Sequence, residues 1–256
     1  MASRVDLNAD LGEGFGRWRL GEEERLLPWI TSASVACGFH AGDPRTIRRT
    51  LALARRYGVA VGAHPGYPDL VGFGRRDLEM DPEDLEAAVV YQVGALQGLA
   101  ATEGLTLQHV KAHGALYNRA ARDPGAAAAV VRAVQAVCPE AILLGPPGSV
   151  LLEQARAGGL TTAAEGFADR AYRADGSLAG RALAGAVLED PRHVAEQALR
   201  LVAEGRVATL DGDDLRLEVQ SLCVHGDTPG APTLARAVRE ALQAAGVEVR
   251  RLGETG

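Results

Sequence analysis

Leu107-Gln108-His109-Val110-Lys111-Ala112-His113-Gly114-Ala115-Leu116-Tyr117-Asn118 is the stretch whose reading decides the fold. Lys111 is the only lysine of the chain; every other basic side chain, histidine aside, is arginine. Asn118 is one of two asparagines, the other being Asn8. Arginine keeps its proton inside a protein, whereas a buried ammonium can shift its pKa and is a compact donor. His109, Lys111 and His113 alternate with Val110 and Ala112, so on a strand all three face one way. Gly114 then releases the chain into a loop. The pattern predicts a strand that delivers Lys111 into a functional pocket.

The same pattern recurs outward from this stretch. Val5-Asp6-Leu7-Asn8-Ala9-Asp10 alternates apolar and polar residues and predicts a first strand, running into the glycine-rich turn Leu11–Gly16. Further strands are expected over Ser32–Cys37, Val59–Ala63, Ala141–Leu144, Leu160–Ala164 and Val219–Val224, with a short last one over Val247–Leu252. Helical spacing fills the gaps at Glu22–Trp29, Arg45–Tyr57, Pro82–Glu103, Pro124–Val137, after Ser149, at Pro191–Glu204 and up to Ala245. Asp43-Pro44, Asp81-Pro82 and Asp123-Pro124 each pair an N-cap with proline at the first helical position. Residues 207–217 read as a hairpin around Asp211-Gly212-Asp213. Strand–helix alternation means a parallel sheet with helical crossovers. Seven or eight such units in 256 residues predict an α/β fold of the TIM-like (β/α) barrel kind. A doubly wound open sheet is the alternative. No Pro/Gly/Ser-rich linker divides the chain, so a single barrel domain over residues 1–256 is expected.

Composition narrows the function classes. The net charge of −6, with acids and bases interleaved, argues against nucleic acid as a partner. No apolar run is long enough to span a bilayer, so no membrane association is expected. Met1-Ala2-Ser3-Arg4 leads straight into the first strand, which predicts no signal peptide. The three cysteines, Cys37, Cys138 and Cys223, lie far apart without a CxxC pair. They are expected to be reduced, in a cytoplasmic protein, with Cys37 and Cys223 acting as small buried hydrophobes. The turn after the first strand is neither a Walker A loop nor GxGxxG, and no GxSxG elbow surrounds Ser149 or Ser177.

Polar residues gather at strand ends. Asp6, Asn8, Asp10 and Glu13 close the first strand, His40 and Asp43 the second, His64 and Asp69 the third. Lys111 and His113 close the fourth, Glu165 and Asp169 the sixth, His225 and Asp227 the seventh. In a parallel barrel these ends converge on one face, where active sites lie. Four of the six histidines sit at such ends. Asp43, Asp81 and Asp123 read as caps and Asp69 as a turn residue; Asp227 reads equally as a turn or a site residue. His109 and His113 have helical metal-ligand spacing, but on a strand they lie roughly 13 Å apart. A set drawn from Asp10, His64, His113 or His225 stays geometrically open. No compact ligand motif demands an ion, so no tightly bound transition metal is expected and the metal ligands are unassigned.

Several segments together resemble the LamB/YcsF family, which supplies the A subunit of prokaryotic 5-oxoprolinase. They are Asp6–Gly14, Ala36–Asp43, Val61–Pro65, Phe73–Arg75, His109–Lys111, His113-Gly114, Leu116–Asn118, Glu165, Phe167–Arg170, Tyr172, Asp175–Leu178 and Cys223–Asp227. Ala112 stands where the family usually has Pro, and Ser34 where it usually has Asn. The resemblance implies a distorted barrel like those of glycoside hydrolases and polysaccharide deacetylases. It implies cleavage of 5-oxo-L-proline to L-glutamate, coupled to hydrolysis of ATP (with Mg²⁺) to ADP and phosphate, in a complex with B and C subunits. Homo-oligomerisation is left open. Asp10, Glu13, His64, Lys111, His113, Glu165 and His225 are the catalytic candidates under this resemblance. Asn8, His40, Arg75, Asn118, Asp169, Arg170 and Asp227 are the candidates for binding substrate or phosphate. Lys111, with Arg170 or Arg75, would hold the substrate carboxylate or a phosphate. Asp10, Glu13 or Glu165 would hold Mg²⁺ or activate water, and His64, His113 and His225 would be acid/base or oxyanion groups. Two alternatives carry different expectations. A metal-dependent deacetylase or carbohydrate hydrolase on the same barrel would act alone with a bound metal. A non-catalytic lactam-binding subunit would bind substrate without turning it over.

Overall fold

The computed structural model describes residues 4–254. Met1, Ala2 and Ser3, over which no signal peptide was expected, lie outside the described residues. Ten strands occur among the described residues: β1 (Arg4–Leu11), β2 (Ser32–Ala36), β3 (Ala60–His64), β4 (Leu107–Lys111), β5 (Ile142–Gly145), β6 (Thr162–Phe167), β7 (Arg206–Ala208), β8 (Asp214–Arg216), β9 (Ser221–Val224) and β10 (Glu248–Val249). Sheet order is β1-β2-β3-β4-β5-β6-β9, and β9 returns to pair with β1 from Asp6↔Ser221 to Ala9↔Val224. Every one of these pairings is parallel. Seven strands therefore close a barrel, and β10 adds to the first residues of β1 at Arg4 and Val5. Closure excludes the open doubly wound sheet. The hairpin β7–β8 stands outside the barrel as a separate antiparallel pair.

The helices are α1 (Glu23–Leu26), extended by a 3-10 turn to Trp29, α2 (Pro44–Tyr57), α3 (Pro82–Thr102), α4 (Gly114–Ala120), α5 (Pro124–Val137), α6 (Val150–Ala157), α7 (Pro191–Leu199) and α8 (Ala231–Ala244). The expected caps form: Asp43 accepts from the backbone N–H of Arg45 and Thr46, Asp81 from Glu83, and Asp123 from Ala126. Gly58 closes α2 in the left-handed region at φ 67°.

Two expectations need correction. Gly114 does not release β4 into a loop; it opens α4, with His113 as the preceding cap residue. A seven-residue helix that begins on glycine carries a breaker signal where a start signal is expected. Glycine is required there: φ is +54°, and a Cβ would stand 2.6 Å from the Gly74 carbonyl oxygen. The sixth strand starts later than Leu160 and runs on to Phe167, so Glu165 lies within it.

Alternation along β1 sorts its side chains. Val5, Leu7, Ala9 and Leu11 join the apolar core that continues through the helices to Val247. Asp6, Asn8 and Asp10 are also buried, and they bond across the barrel interior to other strands. Barrel interiors are usually filled by bulky aliphatic layers. Here Ser34, His109, Lys111, Glu165, Ser221 and Cys223 occupy that space with the polar residues of β1.

Candidate functional site

The barrel interior is organised around Lys111, the last residue of β4, which is 1% exposed. Its ammonium donates to Asn8 Oδ1 at 3.0 Å and to Glu165 Oε1 at 3.0 Å, and meets Cys223 Sγ at 3.3 Å. Asp10 Oδ1 is 2.6 Å away and completes the pair of carboxylates around the ammonium. Burial works against the Lys111 charge, but the carboxylates of Asp10 and Glu165 outweigh it and raise its pKa well above the ordinary value. Asp10 behaves in mirror image: burial opposes its charge, while His64 and Lys111 hold its carboxyl well below the usual range. Asn8 Nδ2 donates to Glu165 Oε1 and to Ser221 Oγ, both at 2.8 Å, fixing the carboxylate. Asp6 lies beneath this layer, accepting from Thr31, Ser32 and Ser221. His109 packs below Lys111 with Nε2 3.1 Å from Ser34 Oγ. Burial, then Lys111, pushes His109 down to about 3. Gly62 makes room for it, since a Cβ there would come within 2.3 Å of the His109 ring.

A second cluster joins the ends of β1 to β4. His64 Nε2 stands 3.0 Å from His113 Nδ1 and 3.4 Å from Asp10 Oδ2. His113 stacks on His40 with ring centroids 3.7 Å apart. His40 Nε2 is 3.2 Å from Glu13 Oε1, and His113 Nδ1 is 3.6 Å from the same oxygen. One ligand atom from each of Glu13, His40, His64 and His113 lies within 4.8 Å of the others. Burial, followed by the charges of Asp10 and Asp227, pushes the Glu13 carboxyl well up. Burial, followed by neighbouring imidazoles, pushes His40 and His113 well down.

On the far side, Asp169 binds His225. It accepts from the His225 backbone N–H at 3.0 Å and from Nδ1 at 3.0 Å. Burial opposes the Asp169 charge, but the His225 imidazole and its N–H groups prevail and lower its pKa. With Nδ1 held, Nε2 is the atom left to exchange a proton. A cavity of about 260 Å³ opens here, lined by Asp10, His64, Lys111, His113, Tyr117, Arg170, Arg181 and His225 among others. A neighbouring cavity of about 560 Å³ shares Tyr117 and Phe167 with it and reaches Glu165. Tyr117 Oη and Glu165 Oε2 are buried without a hydrogen-bond partner among the described residues. Burial, then the Glu165 charge, pushes the Tyr117 phenol well up.

The structure thus brings the seven catalytic candidates together, but it redistributes roles. Lys111, expected to meet an anionic substrate, lines the cavity and already faces two carboxylates of the chain, Asp10 and Glu165. Asp10 and Glu165 are engaged by Lys111, so the two do not form a free Mg²⁺ site as they stand, and Glu13 sits beside His40. Asn8 and His40 are buried inside the two clusters and do not line the cavity. Asp169, a candidate for binding substrate, has its carboxylate oxygens on His225. Asp227 pairs with Arg75 at 2.6 Å. Arg170 lines the cavity, donating Nε to the Ala186 carbonyl at 3.2 Å. Burial, then Arg181, brings Arg170 down to about 10. Asn118 is exposed on α4 at the rim. The sequence reading assigned no role to Tyr117, Phe167, Arg181 or Ser221. Tyr117 and Phe167 had a signal, since both lie in segments matching the family; Arg181 lies in an irregular stretch without periodicity.

The sequence profile of the LamB/YcsF family matches residues 5–256. The chain belongs to the LamB/YcsF family. Among relatives, this LamB/YcsF chain is 53% identical to the 5-oxoprolinase A subunit of Syntrophobacter fumaroxidans, over 98% of this chain and 99% of that one. It is 51% identical to the 5-oxoprolinase A subunit of Thermus thermophilus, over 96% of this chain and 99% of that one. The crystal structure of a lactam utilization protein from Thermus thermophilus superposes with a TM-score of 0.90, covering 96% of this chain and 99% of that chain at 50% identity. An Enterococcus faecalis protein named for cellobiose-phosphate cleavage shares the fold alone, at TM-score 0.57 and 12% identity over 98% of both chains.

Proposed function

We propose that this chain is the A subunit of an ATP-dependent 5-oxoprolinase and that its barrel cavity takes the lactam. The observation that carries the reading is identity of 50% or more, over almost the whole length, to proteins named as 5-oxoprolinase A subunits. The cavity supports it chemically. At about 260 Å³ it is smaller than the ~300–1,000 Å³ pockets of drug-sized ligands. A lactam offers one N–H donor and one C=O acceptor side by side. Tyr117 Oη, a buried donor without a partner among the described residues, lines this cavity and complements the carbonyl, while Glu165 Oε2 borders the neighbouring cavity. Arg170 and Arg181 line the same cavity without a carboxylate partner among the described residues, and they would hold the substrate carboxylate.

Opening a five-membered lactam is uphill because the product amine and carboxylate reclose with a large effective molarity. Phosphorylation of the amide oxygen makes the ring carbon an electrophile: water adds to it, the ring C–N bond breaks as the nitrogen takes a proton, and the acyl phosphate so formed is hydrolysed to carboxylate and phosphate, which couples ring opening to ATP. His225, oriented by Asp169, would transfer the proton, and Asp10 would direct water. The residues first expected to hold Mg²⁺ are occupied, so ATP is not placed on them. The B and C subunits complete the reaction in this reading. The three free buried cysteines suit a cytoplasmic setting, and no helix among the described residues is long and apolar enough to cross a membrane.

The test is ATP- and 5-oxoproline-dependent release of phosphate and glutamate, with and without the B and C subunits. The expected result is turnover only in the complete assembly. Deacetylation or glycoside hydrolysis by this chain alone would overturn the reading. Binding of 5-oxoproline with no turnover in any assembly would leave a carrier subunit in its place.

A further inference from the structure

The two inward imidazoles at the ends of β3 and β4 are held in one tautomer. His64 Nδ1 lies 2.8 Å from the Lys111 carbonyl oxygen, and His113 Nε2 lies 2.8 Å from the Phe73 carbonyl oxygen. A carbonyl oxygen only accepts, so each of those nitrogens carries the hydrogen. In a neutral imidazole the other nitrogen then bears a lone pair. These other nitrogens, His64 Nε2 and His113 Nδ1, face each other at 3.0 Å. Two lone pairs so placed repel, and a cation between them removes the conflict.

We propose that Glu13, His64 and His113 bind one divalent transition-metal ion of the Zn²⁺ or Co²⁺ class, with His40 positioning Glu13. Tetrahedral bonds of about 2.0–2.1 Å separate neighbouring ligand atoms by about 3.3 Å. The observed separations bracket that edge: 3.0 Å between His64 and His113, and 3.6 Å between His113 and Glu13 Oε1. An outer N–H held by a backbone carbonyl is the arrangement that orients metal-bound histidines. His40 is excluded as a ligand beside His113. Its ring is stacked 3.7 Å away with only 4° between planes, so one ion cannot lie in both ring planes. Its Nε2, 3.2 Å from Glu13 Oε1, instead steadies the carboxylate. Packing fixes the rings, because a Cβ on Gly74 would fall 2.7 Å from His40 Cβ and 2.8 Å from the His113 ring. His64 and His113 both line the cavity, so three protein ligands leave a position open towards it.

The ligands come from the ends of three different strands, so no local sequence motif displays them. This is why the absence of a compact motif predicted no tightly bound transition metal. The proposal stands apart from the lactam reading, because its test measures metal uptake.

The full chain, stripped with chelator, is titrated with Co²⁺ and followed by visible absorption, then challenged with Zn²⁺. The expected result is one ion per chain, with the intense d–d bands of a low-coordinate site, displaced by Zn²⁺. His113→Asn and His64→Gln should each weaken binding by about 100-fold or more, and His40→Gln by about 10–100-fold. Circular dichroism and thermal melts confirm folding of each variant. If His113→Asn fails to fold, His40→Gln and wild type still decide the matter. No uptake by wild type at micromolar Co²⁺ or Zn²⁺ overturns the proposal. So does uptake unchanged in folded variants, or a strongly downfield proton resonance bridging the two rings in protein that takes up no metal.

Discussion

Around Lys111 one cation meets two carboxylates and a side-chain amide; around His64 and His113 two lone pairs meet each other. Both clusters are buried, and they share Asp10, which contacts Lys111 at 2.6 Å and His64 at 3.4 Å. The difference is how each is completed. A buried charge costs several kcal/mol unless it is paired and hydrogen-bonded, and the chain itself supplies every partner of Lys111. His64 and His113 satisfy their outer nitrogens with backbone carbonyls and leave their inner ones for something from outside. One cluster holds the barrel together, and the other holds a place open in it.

Removing one partner should separate the two most sharply. Lys111→Ala strands Asp10 and Glu165 as buried carboxylates and should cost about 3–5 kcal/mol in urea unfolding. Adding Asp10→Asn and Glu165→Gln to it should restore much of the stability without restoring activity. Wild-type stability in the single variant would mean that the Lys111 cluster is not a completed charge network.

On the other side, His113→Asn loses the bond to the Phe73 carbonyl but strands no charge. The expected loss is about 1–2 kcal/mol in the same unfolding measurement without metal. A loss as large as that of Lys111→Ala would erase the contrast between the clusters.

The smallest effect concerns a strand-end aspartate outside both clusters. Asp43 caps α2, and Asp43→Ala should cost about 1 kcal/mol. The Thr46 hydroxyl, then backbone N–H groups, hold the Asp43 carboxyl down at about 2, against 3.8 unperturbed. A depressed carboxyl stabilises the fold above its unfolded value. The contribution is therefore complete above pH 3.8 and fades as pH falls through about 2. Acid unfolding of wild type and variant should converge in that window; a gap that persists below it would assign the effect to packing.

Much of this was legible because it is local. Proline after aspartate marked the starts of α2, α3 and α5, and alternation in Val5–Asp10 marked a strand with one polar face. The lone lysine marked a buried position because arginine could have served any exposed one. Helix α4 escaped because glycine at its start reads as a break. Arg181 escaped because a loop residue has no period to betray it.

The sequence by itself determined the order of most strands and helices, and hence a parallel sheet whose strand ends gather the polar residues; its closure into a barrel came from the pairing of β9 with β1. Periodicity and caps are set within a few residues, so they survive in one dimension. Only the tertiary structure decided what those residues do. Closure of β9 on β1 places Glu165 and Asn8 against Lys111 and spends its charge internally. The carbonyls of Lys111 and Phe73 choose the tautomers of His64 and His113. Partners from distant positions in the chain set charge and protonation, and no spacing along the chain records them.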